Sequence, residues 1–389
     1  MLKDFSPSER RVILGISFIS VTRMLGLFLL LPVLAPYAKG LEGSSPFLVG
    51  MAVGIYGLAQ AIFQIPFGHL SDKHGRKLLI SIGLIIYALG SFMGGLANNI
   101  FFLIIARLIQ GAGAISSTAV ALAADLTKEE TRTKAFAFIG SSIGLTFGLS
   151  LTLSPLIGGR LGVPFLFFLT AVLSILSLIY LIFKIPEPKK HESEIEPSLK
   201  NIKILLKNKN LLLLYLSTFL ERIILVGMFI IVPIELIERF HIQKADHWKI
   251  YLPAILISIA IMVPLTIFAE KRKKLKEVTI LGILVFSFSS LIYLYEKSST
   301  SLILTTFIFL IGFHILEPIL PSLLSRFSPQ SIRGLSTGVF NTTQFVGAFT
   351  GSMMGGLALK YGVNTLLILN ISIGAIWFSL VFLFLEDKL

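Results

Sequence analysis

The chain has 389 residues, 54% of them hydrophobic and 14% charged, with a net charge of +13 and a mean hydropathy of +0.86. Soluble domains carry about 25% charged residues, so an ordinary water-soluble fold is excluded, and basic residues clustered in loops point to a membrane rather than to nucleic acid. There is no cysteine, which excludes disulfides, Cys-ligated zinc and iron–sulfur clusters.

Twelve apolar runs follow one another, at about 12–36, 46–69, 77–97, 99–124, 135–159, 164–185, 210–235, 248–269, 277–295, 301–324, 336–359 and 364–385. Each is long enough to span a bilayer, and an isolated span must satisfy its own backbone, so all twelve are predicted helices. No small-residue cleavage site follows the first run, so no cleaved signal peptide is expected. Most of the 34 Lys and Arg fall in alternate loops. The opposite loops hold only Lys39, Arg160, Arg239, Lys244, Lys249, Lys297 and Lys360, while Arg23, Arg107 and Arg222 lie inside spans. This bias predicts a cytoplasmic position for both termini.

In span 1, Arg23 is a candidate cavity residue. Span 2 carries Gln60 and Gln64 one turn apart, able to bond a ligand or a neighbouring helix. The loop after it reads Gly68-His69-Leu70-Ser71-Asp72-Lys73-His74-Gly75-Arg76-Lys77. Its pattern, G-x-L-x-D-x-x-G-R-K, resembles the signature between the second and third helices of the major facilitator superfamily. Span 4 reads Leu103-x-x-x-Arg107-x-x-Gln110-Gly111-x-Gly113-Ala114-Ile115 and resembles the motif of the proton-driven members. Leu25-Gly26 with Leu31-Pro32-Val33-Leu34 is similar to a drug-exporter signature. Span 5 ends Ser154-Pro155-Leu156-Ile157-Gly158-Gly159; exporters carry G-P-x-x-G-G there, so Ser154 departs from the pattern. The segments Ala61 to Gly68, His247 to Leu252 and Glu317 to Leu323 resemble the bacterial YajR-type subgroup of drug/proton antiporters. That subgroup has a soluble domain after its twelfth helix. This sequence stops at Glu386-Asp387-Lys388-Leu389, so the resemblance implies the transport unit without that domain.

The longest polar stretch, Pro186 to Asn210, divides the spans six and six. The expected organisation is an amino-terminal bundle at 1–185, a cytoplasmic linker at 186–209 and a carboxy-terminal bundle at 210–389. The halves read as a diverged repeat. Gly140-x3-Gly144-x3-Gly148 in span 5 corresponds to Gly347-x3-Gly351-x3-Gly355 in span 11, and glycines four apart share a face where two backbones can approach. Pro66 precedes Asp72 as Pro264 precedes Glu270, again about 200 residues apart. The fold class expected is an all-α membrane protein with twelve transmembrane helices in two pseudo-symmetric six-helix bundles.

The family resemblance implies that Asp72 meets the amino-terminus of span 11 as a conformational latch, with Gly68 and Gly75 shaping the loop. Ser328 before Pro329 is positioned to cap that terminus, and Arg76 to pair with Asp125. A solvated turn kept for topology is the alternative. Inside the spans, Arg107 and Gln110 share a face. A guanidinium there costs at least about 2.5–3.5 kcal/mol and stays protonated, so Arg107 holds an anionic group, tunes a carboxylate or anchors neighbouring helices. Glu317, beside Pro318 and one turn from His314, is the leading proton carrier, since burial favours a carboxyl's protonated form. Glu221 and Arg222 interrupt span 7. Adjacent helical residues diverge by ~100°, so the two are expected to pair with different helices, or one to line the cavity as a proton-coupling group with Glu317, His314 and Arg107. A structural ion pair with another span, such as Arg23 in span 1, is the alternative. Asn341 and Gln344 in span 11 are further candidate cavity residues.

No nucleotide-binding loop, metal-ligand spacing or catalytic motif is present, so neither a cofactor nor enzymatic catalysis is expected. The expected function is secondary transport by alternating access, as proton-coupled export of an amphipathic small molecule. The expected setting is a monomer in a bacterial inner (plasma) membrane, in contact with its small-molecule substrate, protons and the lipid bilayer. A proton-coupled importer of a small organic solute is the alternative within transport. From another class, the alternative is a non-transporting membrane sensor or scaffold.

Overall fold

A computed structural model describes residues 5–188 and 199–386. Lys189 to Glu194 of the predicted linker and the final Asp387-Lys388-Leu389 lie outside the described residues. The long helices of the first half are α1 (Pro7–Phe28), α2 (Pro46–His74), α3 (Arg76–Gly95), α4 (Ile100–Ala112, resumed at Ser116–Asp125), α5 (Glu129–Arg160) and α6 (Val163–Lys184). Those of the second are α7 (Lys209–Glu238), α8 (Trp248–Arg272), α9 (Leu275–Phe288, resumed at Ser290–Tyr295), α10 (Ser299–Phe327), α11 (Arg333–Tyr361) and α12 (Val363–Phe384). Every predicted span falls on one of them, but the first, predicted at 12–36, overshoots: α1 ends at Phe28 and a separate short helix, Leu34–Lys39, follows a turn. Chain contacts divide the molecule into two compact units, Met1–Glu194 and Ile195–Leu389. A short helix, Leu199–Lys207, forms inside the predicted linker.

Among the described residues, 10 helices are long and apolar enough to cross a membrane by length and composition. The other two long helices are α7 and α11, and each has its most extensive packing with the other. Large apolar side chains stand exposed along the spans, Phe183 on α6 and Leu383 on α12 among them. Water would not tolerate so much contiguous apolar surface; lipid does.

Helix ends follow local chemistry. Ser6, Ser45, Asn99, Asn208 and Ser298 accept backbone N–H bonds at the starts of α1, α2, α4, α7 and α10, each such cap contributing about 0.5–2 kcal/mol. Ser328 does not cap α11. A 3-10 turn at Gln330–Ile332 intervenes, α11 starts at Arg333, and Ser328 instead closes α10. Its hydroxyl donates to the Ser336 hydroxyl at 2.7 Å. Between α2 and α3, Gly75 has φ 102° and ψ 141°, a conformation available to glycine at no steric cost. At the corresponding end of α8, Lys273 takes the left-handed conformation, with φ 57°.

The two glycine rows behave differently. In α11, a Cβ on Gly347 or Gly351 would strike the carbonyl oxygens of Phe219 or Ile223, so α7 lies directly on the glycine face. In α5, a Cβ on Gly140 or Gly144 would meet nothing within 4 Å. The expected close approach therefore occurs in the second unit and not at those two glycines of the first, because α5 packs against α1 through other residues.

Candidate functional site

In the second unit, α7 and α10 bring three charged side chains together. Arg222 Nη2 donates to Glu317 at 2.8 Å to Oε2 and 3.1 Å to Oε1. Arg222 Nε also lies 3.7 Å from Glu221 Oε2. The guanidinium carbon stands 5.5 Å from the centre of the Phe313 ring. The expectation that Glu221 and Arg222 would serve different helices is corrected in part: Arg222 does reach α10, but its long side chain folds back towards Glu221. The two carboxylates differ in setting, and the burial expected of Glu317 falls on Glu221 instead, because Glu317 reaches outward from α10 to Arg222 while Glu221 packs within the unit. The Glu221 side chain is 1% exposed and its Oε1 has no hydrogen-bond partner, whereas Glu317 is 48% exposed. His314 is buried beside Phe313, and its Nδ1 lies 2.7 Å from the Leu310 carbonyl oxygen. One cation thus serves two acids, and with both ionised the triad holds one negative charge in excess.

The first unit is different. Arg107 Nη1 donates to Gln110 Oε1 at 2.5 Å, and Gln110 Nε2 donates to Ser91 Oγ at 2.9 Å. The Arg107 guanidinium lies 4.6 Å from the centre of the Tyr56 ring, close enough for a cation–π contact. Arg23 donates through Nη1 to Ser116 Oγ on α4 of its own unit. Gln60 and Gln64 are buried on α2, and Gln60 forms no side-chain hydrogen bond. Asn341 and Gln344 are half-buried on α11.

The expected loop from Gly68 to Lys77 is helical except at Gly75, whose positive φ lets α3 start directly after α2. Gly68 therefore lies within α2, and at this junction Arg76 is shared by two acids. It pairs with Asp72, donates through Nε to Asp125 Oδ2 at 3.1 Å, and through Nη1 to Ser71 Oγ at 2.8 Å. Gly68 has room, its nearest outside atom to a built Cβ being Ser117 Oγ at 3.5 Å. Lys77 Nζ donates to the Ile182 and Ile185 carbonyls at the end of α6, at 2.7 and 2.8 Å. In the second unit Glu270 accepts from Ser322 Oγ at 2.8 Å and pairs with Arg326. Sequence reasoning missed Tyr56, Tyr87, Ser91 and Arg326. Tyr56 was findable, since Tyr56, Gln60 and Gln64 recur at four-residue spacing on one helix face.

Among the described residues, twelve long helices in two compact units, with charged groups held in the apolar spans, define a polytopic membrane carrier. Residues 16–352 match the family model described as Major Facilitator Superfamily. The chain belongs to that superfamily and is a secondary transporter, not an enzyme. It is 38% identical over 355 residues to the inner membrane transport protein YajR of Escherichia coli, covering 90% of this chain and 78% of the relative. It is 28% identical to the quinolone resistance protein NorA of Staphylococcus aureus, covering 85% and 86%. Among solved structures, the bacterial homologue of the human lysosomal transporter Spinster gives a TM-score of 0.78 at 14% identity, covering 99% of each chain. The D-xylose–proton symporter gives 0.77 at 16% identity, covering 97% of this chain and 98% of the other. At those identities the likeness is one of fold.

Proposed function

We propose that the protein is a proton-coupled exporter of amphipathic small molecules, working by alternating access. The observation that carries this reading is the Glu221–Arg222–Glu317 triad. Two carboxylates on one guanidinium inside membrane-spanning helices leave one negative charge uncompensated, and charges at membrane depth are costly unless paired or used. One bound proton cancels the excess. Glu317, the exposed member, exchanges protons; Glu221 is its buried neighbour, Arg222 sets the affinity of both, and His314 lies one turn away. Arg107 acts in the other unit.

The export direction draws support from the drug-exporter signature of α1 and from the name of the relative NorA. An inner-membrane location with both termini cytoplasmic draws support from the loop charge bias and from the name of the E. coli relative. The junction of α2 and α3 around Gly75 acts as the conformational latch, its Arg76 held by Asp72 and Asp125.

The test is purified protein in liposomes carrying an imposed pH gradient, a pH indicator and a fluorescent amphipathic dye. Export predicts dye movement against the direction of proton flow, abolished by a protonophore. Dye movement indifferent to the protonophore contradicts proton coupling, and movement in the same direction as the protons contradicts antiport.

A further inference from the structure

We propose that the first unit holds a site for an anionic group on the cargo, formed by Arg23 and Arg107; this rests on the transporter reading above. Both arginines are 2% exposed as whole residues. Neither pairs with a carboxylate among the described residues. Arg107 has Gln110 and the Tyr56 ring, and its Nε has no partner. Arg23 has Ser116, and its Nε and Nη2 have none. Tyr87 links the two: its hydroxyl donates to the Arg23 carbonyl at 3.3 Å, and it lies within electrostatic reach of both guanidinium groups. On the facing helix, both amide atoms of Gln60 and the Oε1 of Gln64 are buried without partners.

A helix anchor would use its N–H groups on neighbouring helices. Here three guanidinium nitrogens, on two separate arginines, are left over. Each buried unsatisfied polar group is costly, more so when charged, and native structures leave few of them. The partner that fits is an anion with two acceptor oxygens, since the guanidinium fork matches carboxylate, sulfonate and phosphate geometry. Gln60 and Gln64 add donors and acceptors for a neutral polar group on the same molecule. A cationic cargo would meet two buried like charges. The site therefore selects an organic anion with an apolar body, and the acids of the second unit are left for the proton.

The test uses three probes of one shape in detergent: 1-naphthoate, neutral 1-naphthamide and 1-naphthylmethylammonium. Binding is read as the shift in thermal unfolding midpoint against probe concentration. The naphthoate should stabilise the wild-type protein at concentrations at least tenfold below those needed for the amide or the ammonium. Arg107→Gln and Arg23→Gln should each weaken that response at least tenfold, while Lys249→Gln at an exposed site should leave it unchanged. If a Gln variant shows no cooperative transition, the corresponding Arg→Lys variant is read instead; it keeps the charge, loses the fork, and should also weaken naphthoate. The proposal is overturned if naphthoate does not stabilise the wild type, if the ammonium matches it, or if both arginine variants respond as the wild type does. Binding is read without a gradient, so naphthoate binding with no proton-coupled flux refutes the transport reading alone. Proton-coupled flux with no naphthoate binding refutes this inference alone.

Discussion

Glu9 sits where two helices begin, and its carboxylate serves both. It accepts from the backbone N–H and hydroxyl of Ser6, at 3.0 and 2.7 Å, and so completes the cap of α1. It also accepts from Lys128 N at 3.2 Å and Thr131 Oγ1 at 2.8 Å, where α5 begins without a side-chain cap of its own. With Glu9 only 6% exposed, water cannot replace these bonds. Glu9→Ala should therefore cost about 2–3 kcal/mol, seen as a lower thermal midpoint in detergent, with Glu9→Gln costing less. An unchanged midpoint in the alanine variant would contradict this role. The sequence holds half of the arrangement openly, since Ser6-x-x-Glu9 is a capping-box pattern. The other half joins residues more than a hundred positions apart and leaves no local trace. The same limit applies to Arg222 and Glu317. Each stood out as a charge in an apolar run, but periodicity gives the face of a helix and not the helix that face meets.

At the scale of elements, the helices were legible because each needs a long apolar run, and the structure places a helix on every run. Their partners and some of their ends were not. Ser328-Pro329 fits the rule for a helix start, yet the chain spends Gln330–Ile332 on a 3-10 turn first, so the cap falls on the wrong helix. The paired glycine rows looked equivalent by spacing, but only the α11 row meets a neighbouring backbone at the positions compared. This asymmetry gives a matched prediction. Gly351→Ala forces a methyl into the Ile223 carbonyl and should destabilise by about 1–3 kcal/mol. Gly144→Ala fills open space in a helix and should be neutral or stabilising by about 0.5–1 kcal/mol. Equal effects of the two variants on the unfolding midpoint would show that the rows are used alike.

At the scale of the molecule, each unit shares one arginine between two acids: Arg76 with Asp72 and Asp125 in the first, Arg222 with Glu221 and Glu317 in the second. The first lies where α2, α3 and α4 end or begin, the second within spans, and the proposed roles differ accordingly. Asp72→Asn removes one acid from a partly exposed group that keeps Asp125. Stability should change by no more than about 1 kcal/mol, while turnover falls several-fold if the loop is the latch. Wild-type turnover in that variant would remove the latch from the account. The two-bundle architecture was legible in the six-plus-six division and the offset of about 200 residues between Pro66 and Pro264. The buried surroundings of Arg23 and Arg107, which pair with no carboxylate among the described residues, were not, because periodicity does not say which side chains meet a buried charge.

The central claim is that the second unit carries the proton on the triad around Arg222. Its most direct measurement is pH-gradient-driven flux in liposomes for the wild type, Glu317→Gln and Glu221→Gln, with the folded state of each checked by its unfolding midpoint. Glu317→Gln is nearly isosteric and should stay folded, lose coupled flux, and keep cargo binding. Coupled flux at the wild-type rate in both variants would contradict that claim; if Glu221→Gln alone lost it, the proton would sit on Glu221 of the same triad and not on Glu317.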